Sequence, residues 1–208
     1  MYKILIVDDH PFIRSAVRII FEQENFEVVG ESENGSDAIQ LARELLPDII
    51  LLDIAMPNLD GLEVIERITE MRLPIKTLIL SSQSARFYSP RCMKAGASGY
   101  ICKTDNLSEL VKAVNIVMSG YTYFPALPFS SVRSHDTQLS EAELIDKLSN
   151  REVIILQQLA MGFTNKEISE AMLLSNKTIS TYKTRLSEKL NVKSVVHLAE
   201  LAKRNNLV

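Results

Sequence analysis

Ile49-Ile50-Leu51-Leu52 is a run of four aliphatic residues with nothing polar between them, and it ends on Asp53. A strand with one wet face alternates apolar and polar residues. An unbroken run needs cover on both faces, as in a parallel strand packed between helices. Ile4-Leu5-Ile6-Val7 repeats the pattern and ends on Asp8-Asp9. Open α/β sheets bind ligands at the C-terminal ends of their strands. If these two strands are neighbours, three carboxylates converge in one crevice. Like charges so placed repel one another, and a hard divalent cation with oxygen ligands, Mg²⁺ above all, relieves the repulsion.

The first 120 residues alternate strand and helix around these runs. Strands are expected at Lys3–Val7, Glu27–Glu31, Ile49–Asp53, Lys76–Leu80 and Ser98–Cys102. Helices are expected from Pro11 to about Asn25, over Ser36–Leu46, Leu62–Met71, Ala85–Ala95 and Leu107–Ser119. Pro11 suits a first helical turn, and Pro47 closes the second helix. Five βα units imply a doubly wound, five-stranded parallel sheet of flavodoxin-like type.

A chain of 208 residues accommodates two domains. No apolar run approaches the ~20 residues that span a bilayer, and the chain enters a strand pattern with no signal-peptide core. The two cysteines, Cys92 and Cys102, lack metal-binding spacing, so reduced thiols and a cytoplasmic setting are expected. The net charge of −3 conceals a division. Residues 1–120 carry 12 Lys/Arg against 17 Asp/Glu, whereas residues 148–208 carry 9 against 5. An acidic half and a basic half suggest separate tasks, with nucleic acid a candidate partner for the second.

The other strand ends supply a hydroxyl, Ser81, and a cation, Lys103. Three carboxylates, a hydroxyl and a lysine at successive strand ends suit phosphoryl transfer to a carboxylate: one acid is the nucleophile, and metal and lysine neutralise the phosphoryl oxygens. With Asp8-Asp9, Asp53, Ser81 and Lys103 at its five key positions, residues 1–120 resemble the receiver domain of a two-component response regulator. The resemblance implies that Asp53 accepts phosphate from a sensor histidine kinase or its phosphotransfer domain. It implies that Asp9, Asp53 and the Ala55 carbonyl ligate Mg²⁺ directly, and Asp8 through water. It also makes Tyr100 an aromatic switch residue that rotates inward as Ser81 moves toward the phosphate. Thr104 stands where many receivers have a cis proline, so a trans or strained bond is expected there. His10 is expected to be structural or modulating, since Mg²⁺ does not favour imidazole.

Residues 121–147 read as a linker. Tyr121-Thr122-Tyr123-Phe124-Pro125 is aromatic and could pack on either neighbour, and Pro and Ser then punctuate a stretch without periodicity. The Ser140–Glu143 spacing is that of a capping box, so a short helix can begin there. From Leu148 onward the pattern is helical: a segment with Asn150 as its N-cap and ending near Gly162, then Asn165–Met172 with Ile168, Ala171 and Met172 inward, Lys177–Leu190 and Ser194–Asn205. A short helix, a tight turn and a longer helix rich in hydroxyls and lysines form a helix-turn-helix.

Leu148-Ser149-Asn150-Arg151-Glu152, Asn165-Lys166-Glu167-Ile168 and Leu174-Ser175-Asn176-Lys177-Thr178-Ile179 resemble the LuxR-type DNA-binding domain. The combined architecture is similar to the NarL/FixJ group of response regulators. Tyr-Thr-Tyr-Phe-Pro and Thr-Tyr-Lys-Thr-Arg-Leu narrow the likeness to its virulence and stress regulators. The resemblance implies base contacts from Ser180, Thr181 and Thr184, backbone contacts from Lys177, Lys183 and Arg185, and a homodimer on two DNA half-sites with contacts through Val195 and Leu198. Two rivals stay open. One is a dimeric DNA binder indifferent to phosphorylation. The other is a metal-dependent phosphohydrolase, although Ile54-Ala55 leaves no second carboxylate two residues after Asp53 to act as acid/base.

Overall fold

The computed structural model describes residues 1–56, 59–103, 108–126, 141–205 and 207–208. The expectations placed on Thr104, Leu107 and residues 128–140 lie outside the described residues. The chain divides into two compact units, Met1–Leu127 and Pro128–Val208.

In the first unit β1 (Lys3–Val7), α1 (Pro11–Gln23), β2 (Glu27–Ser32), α2 (Gly35–Leu45), β3 (Ile49–Leu52), α3 (Gly61–Glu70), β4 (Lys76–Ser81), α4 (Ala85–Ala95), β5 (Gly99–Cys102) and α5 (Ser108–Met118) alternate as expected. The five strands are parallel in the order β2-β1-β3-β4-β5. The aliphatic runs are why β1 and β3 sit inside. Every residue of β3 is buried, as is every residue of β1 except Lys3. Alternate strand residues, Ile4, Ile6, Ile49, Leu51, Leu78 and Leu80, pack with Val17 and Phe21 of α1 and Leu110, Val114 and Val117 of α5. On the opposite face Leu45 of α2 and Leu5 close on Gly30, where a Cβ would come within 2.8 Å of the first and 3.2 Å of the second. Each such aliphatic side chain contributes about 1.5–3 kcal/mol by leaving water.

Register fixes the site. Val7 pairs with Leu52, so the residues that follow, Asp8 and Asp53, leave the sheet side by side where the strand order reverses. Ser81 pairs with Cys102, which brings Lys103 to the same edge.

The second unit comprises α6 (Glu141–Asp146), α7 (Asn150–Ala160), α8 (Asn165–Ala171), α9 (Asn176–Lys189) and α10 (Val195–Arg204). Ile145, Leu156, Ile168, Ile179, Leu186, Leu198 and Leu201 are buried in it. Each of the last four helices opens on a hydroxyl N-cap, at Ser149, Thr164, Ser175 and Ser194. The first of these corrects the sequence reading. Ser149, not Asn150, caps α7, because Glu152 three residues on returns the bond to complete a capping box. Ala171, expected inward, is exposed at the C-terminus of α8.

Both ends of the 121–147 segment are built into these units. Tyr123 forms a parallel bridge to Gly99: the Tyr100 amide donates to the Tyr123 carbonyl at 2.7 Å and the Tyr123 amide to Ser98 at 3.0 Å. At the other end, Glu141 of α6 accepts from Arg204 at 2.8 Å and from Asn205 at 3.0 Å.

Candidate functional site

Asp53 and Asp8 are 3% and 2% exposed, burial that an unpartnered carboxylate rarely tolerates. Their partner is Lys103, whose Nζ lies 2.6 Å from Asp53 Oδ2 and 2.7 Å from Asp8 Oδ2. Burial alone would lower the Lys103 pKa, but hydrogen bonds to the two carboxylates outweigh it and hold the ammonium above its ordinary range. The backbone holds both acids in place. The Asp53 amide donates to the Val7 carbonyl at 2.9 Å and the Asp8 amide to Ser32 at 3.1 Å. Gly61 at the start of α3 donates to the Ile54 carbonyl at 3.0 Å, closing the chain over the strand end.

Asp9 is the half-exposed third acid. One ligating atom from each of Asp8, Asp9, His10 and Asp53 lies within 4.8 Å of the others. His10 Nδ1 stands 2.6 Å from Asp9 Oδ1, yet this shielded oxygen accepts no hydrogen bond. An acceptor left so, among carboxylates, fits a hard cation. Arg14 of α1 adds a clamp, donating to the Asp8 carbonyl at 2.6 Å, with Glu31 of β2 3.5 Å from its Nε.

Ser81 is fully buried, and its Oγ accepts from the Gln83 amide at 3.4 Å. Tyr100 lies inward, 1% exposed, and its hydroxyl donates to the Gln83 carbonyl at 2.7 Å. Burial pushes the Tyr100 phenol far above its ordinary pKa, so it stays a neutral donor. The two peptide groups of Gln83 thus join Ser81 to Tyr100.

In the second unit Ile179, Leu186 and Leu190 face inward, while Lys177, Ser180, Thr181, Thr184 and Arg185 are exposed along α9 and Lys183 is half-buried at its edge. The spacing 177, 180, 181, 184 keeps the polar set on one face. Ser175 caps the helix by accepting from the Thr178 amide at 3.1 Å. Lys189, at the other end, donates to buried Glu152 at 2.8 Å and ties α9 to α7. A helix presented this way, polar and cationic outward, suits a DNA groove.

Comparison with known proteins agrees with both halves. Residues 4–115 match the response regulator receiver domain family, and residues 146–202 match the luxR family of bacterial regulatory proteins. The virulence-factor transcription regulator BvgA of Bordetella pertussis is 52% identical over 205 residues, 99% of this chain and 98% of the relative. This chain is a two-component response regulator of the LuxR family. The DNA-binding transcriptional activator EvgA of Escherichia coli is 34% identical over 203 residues, 98% of each chain. Among solved structures, RcsB of Salmonella enterica bound to a promoter with the phosphomimetic BeF₃⁻ superposes with a TM-score of 0.66. It is 25% identical, and the match covers 96% of this chain and 97% of that one.

At the strand ends Asp8, Asp9, Asp53 and Lys103 lie together, and the Lys103 amide donates to the Ser81 carbonyl at 2.9 Å. Leu198 is not where it was expected. It is fully buried in the core of its own unit and has no surface to offer a second copy. The exposed apolar residues of α10 are Val195, at 37%, and Val196, at 65%. Sequence reasoning missed Arg14, Gln83 and Glu152 as supports of the two sites. Only Glu152 had a legible signal, its place three residues after Ser149. Among the described residues, no helix is long and apolar enough to cross a membrane.

Proposed function

We propose that a phosphoryl group on Asp53 sets how the LuxR-type unit of this transcription factor binds DNA. The observation that supports this best is a buried carboxylate, Asp53, beside a buried cation, Lys103, and a shielded Asp9 oxygen that lacks a donor. The carboxylate set fits Mg²⁺, which Asp9, Asp53 and the Ala55 carbonyl would hold directly and Asp8 through water. When bound, the ion supplies positive charge against the phosphoryl oxygens. Asp53 attacks the phosphorus of a phosphohistidine on a sensor kinase or its phosphotransfer domain. An O–P bond forms, the N–P bond breaks, and the histidine leaves.

Lys103 then exchanges an aspartate oxygen for a phosphoryl oxygen, and Ser81 moves to donate to another. Because Gln83 is bonded to both Ser81 and Tyr100, this displacement bears on the Tyr100 hydroxyl as well. The two states need only differ in affinity for a second copy or for DNA to shift the population. Dimerisation through the α10 face that exposes Val195 places two α9 helices on two half-sites. Ser180, Thr181 and Thr184 face base edges, and Lys177, Lys183 and Arg185 meet phosphates. A regulator that binds DNA acts in the cytoplasm.

The test is intact mass after incubation with an acyl-phosphate donor and Mg²⁺. The wild-type chain gains one phosphoryl group, and Asp53→Asn gains none while keeping its fold. Phosphate on that variant would mean the acceptor lies elsewhere.

A further inference from the structure

The outward face of α9 has a hydrogen-bonding polarity of its own. Ser180 Oγ donates to the Asn176 carbonyl at 3.1 Å, Thr181 Oγ1 to Lys177 at 3.0 Å and Thr184 Oγ1 to Ser180 at 3.3 Å. A hydroxyl has one proton to give. Each of these is committed to the helix backbone, so what remains toward solvent is lone pair. Asn165 of α8 donates to Ser180 Oγ at 3.2 Å, which fixes that oxygen from a second helix. All three hydroxyl residues are exposed, with Lys177 and Arg185 at either end of the stripe. The face is therefore a strip of acceptors set between cations.

We propose that this strip selects amino bases, adenine or cytosine, on the strand it faces, and discriminates against keto bases. In the major groove adenine N6 and cytosine N4 are donors, while guanine O6 and thymine O4 are acceptors that would meet lone pairs head-on. Donating to a keto oxygen would require Thr181 or Thr184 to break its own bond to the helix. Thymine ranks above guanine, because its methyl group meets a threonine methyl. The inference rests on α9 being the base-reading helix and adds the class of base it reads.

The experiment uses the full-length chain treated with an acyl-phosphate donor, and duplexes it selects from a random pool. Thr181→Val and Thr184→Val keep the residue's shape and remove its hydroxyl. The base position whose preference each variant flattens is the one that residue faces. There, adenine is replaced by purine, which lacks the N6 amine, or by 7-deazaadenine, which keeps the amine and lacks N7; a selected cytosine is replaced by 2-pyrimidinone, which lacks N4. Amine removal is expected to weaken wild-type binding about three- to tenfold, the worth of one hydrogen bond. The matching valine variant should lose nothing further, as a double-mutant cycle demands, and 7-deazaadenine should bind as adenine does. Selection of guanine at those positions, or a larger loss from 7-deazaadenine than from purine, overturns the proposal while leaving α9 in the groove. If neither valine variant flattens any position, yet Lys183→Ala weakens binding to all sequences, the base-reading role of α9 itself fails.

Discussion

Replacing Lys103 with methionine isolates the electrostatics on which the acidic pocket depends. The ammonium sits 2.6 and 2.7 Å from oxygens of two buried carboxylates. At an effective dielectric of about 20, charge centres about 4 Å apart attract by ~4 kcal/mol, so the two pairs together give about 8 kcal/mol. Several kcal/mol of that offset the desolvation of the lysine, a cost the methionine does not incur. Breaking a buried pair by removing one partner accordingly costs about 3–5 kcal/mol. For a unit of this size that lowers its melting temperature by about 10–20 °C.

The assay is thermal unfolding of the full chain at pH 8, with EDTA and then with Mg²⁺. The unfolding of the second unit serves as the internal control. Mg²⁺ should stabilise Lys103→Met more than wild type, because it replaces a cation that the variant lacks. The wild-type pair carries its own pH dependence. The Lys103 pKa is raised above its ordinary 10.5, so its contribution is complete below that pH and is lost as pH rises through the higher folded value. A variant within 1 kcal/mol (order of magnitude set by an exposed pair) of wild type in EDTA, with the same response to Mg²⁺, would refute the ion-paired pocket.

Three further substitutions probe the supports. In Gly61→Ala the new methyl would sit 2.7 Å from Ile54 Cα and nearer still to the Asp53 carbonyl, all backbone, so titration should show weaker Mg²⁺ binding and unfolding a loss of about 1–3 kcal/mol. Burial opposes the charge of Glu152, but hydrogen bonds from Lys189 and Ser149 hold its carboxyl below the ordinary range of about 4.5. Its stabilisation is therefore present above that pH and lost below it; Glu152→Gln should cost about 1–2 kcal/mol at pH 7 and much less at pH 3, read from the unfolding of the second unit. Tyr100→Phe removes the bond to Gln83, so acyl phosphate should still label the protein by mass, while the gain in DNA affinity on labelling shrinks severalfold, consistent with one lost hydrogen bond.

The sheet was legible because burial on both faces writes itself into composition. Ile4–Val7 and Ile49–Leu52 tolerate nothing polar, and the residue where each run stops is the one that reaches the ligand edge. Side chains doing chemistry at strand ends are therefore visible from spacing alone. Gln83 was not visible, since it acts through its peptide N–H and C=O, which every residue but proline carries. Arg14 was not visible either: its reach to the Asp8 carbonyl depends on how α1 is rotated on the sheet, and periodicity gives a face without giving its partner.

The second unit shows the same boundary from the other side. Val195, Leu198, Leu201 and Ala202 form one apolar stripe in sequence, and nothing in their spacing says which of them meet their own core and which a second copy. The structure divides the stripe at the first turn of α10, where Val195 and Val196 stand clear of the core that closes over Leu198. The same limit applies to α9. Its hydroxyls and lysines announce a polar face, but the direction of each hydroxyl proton is set by the carbonyl four residues back, which has already taken it. A residue type tells what a site can donate or accept; the surrounding backbone decides which of the two is left to offer.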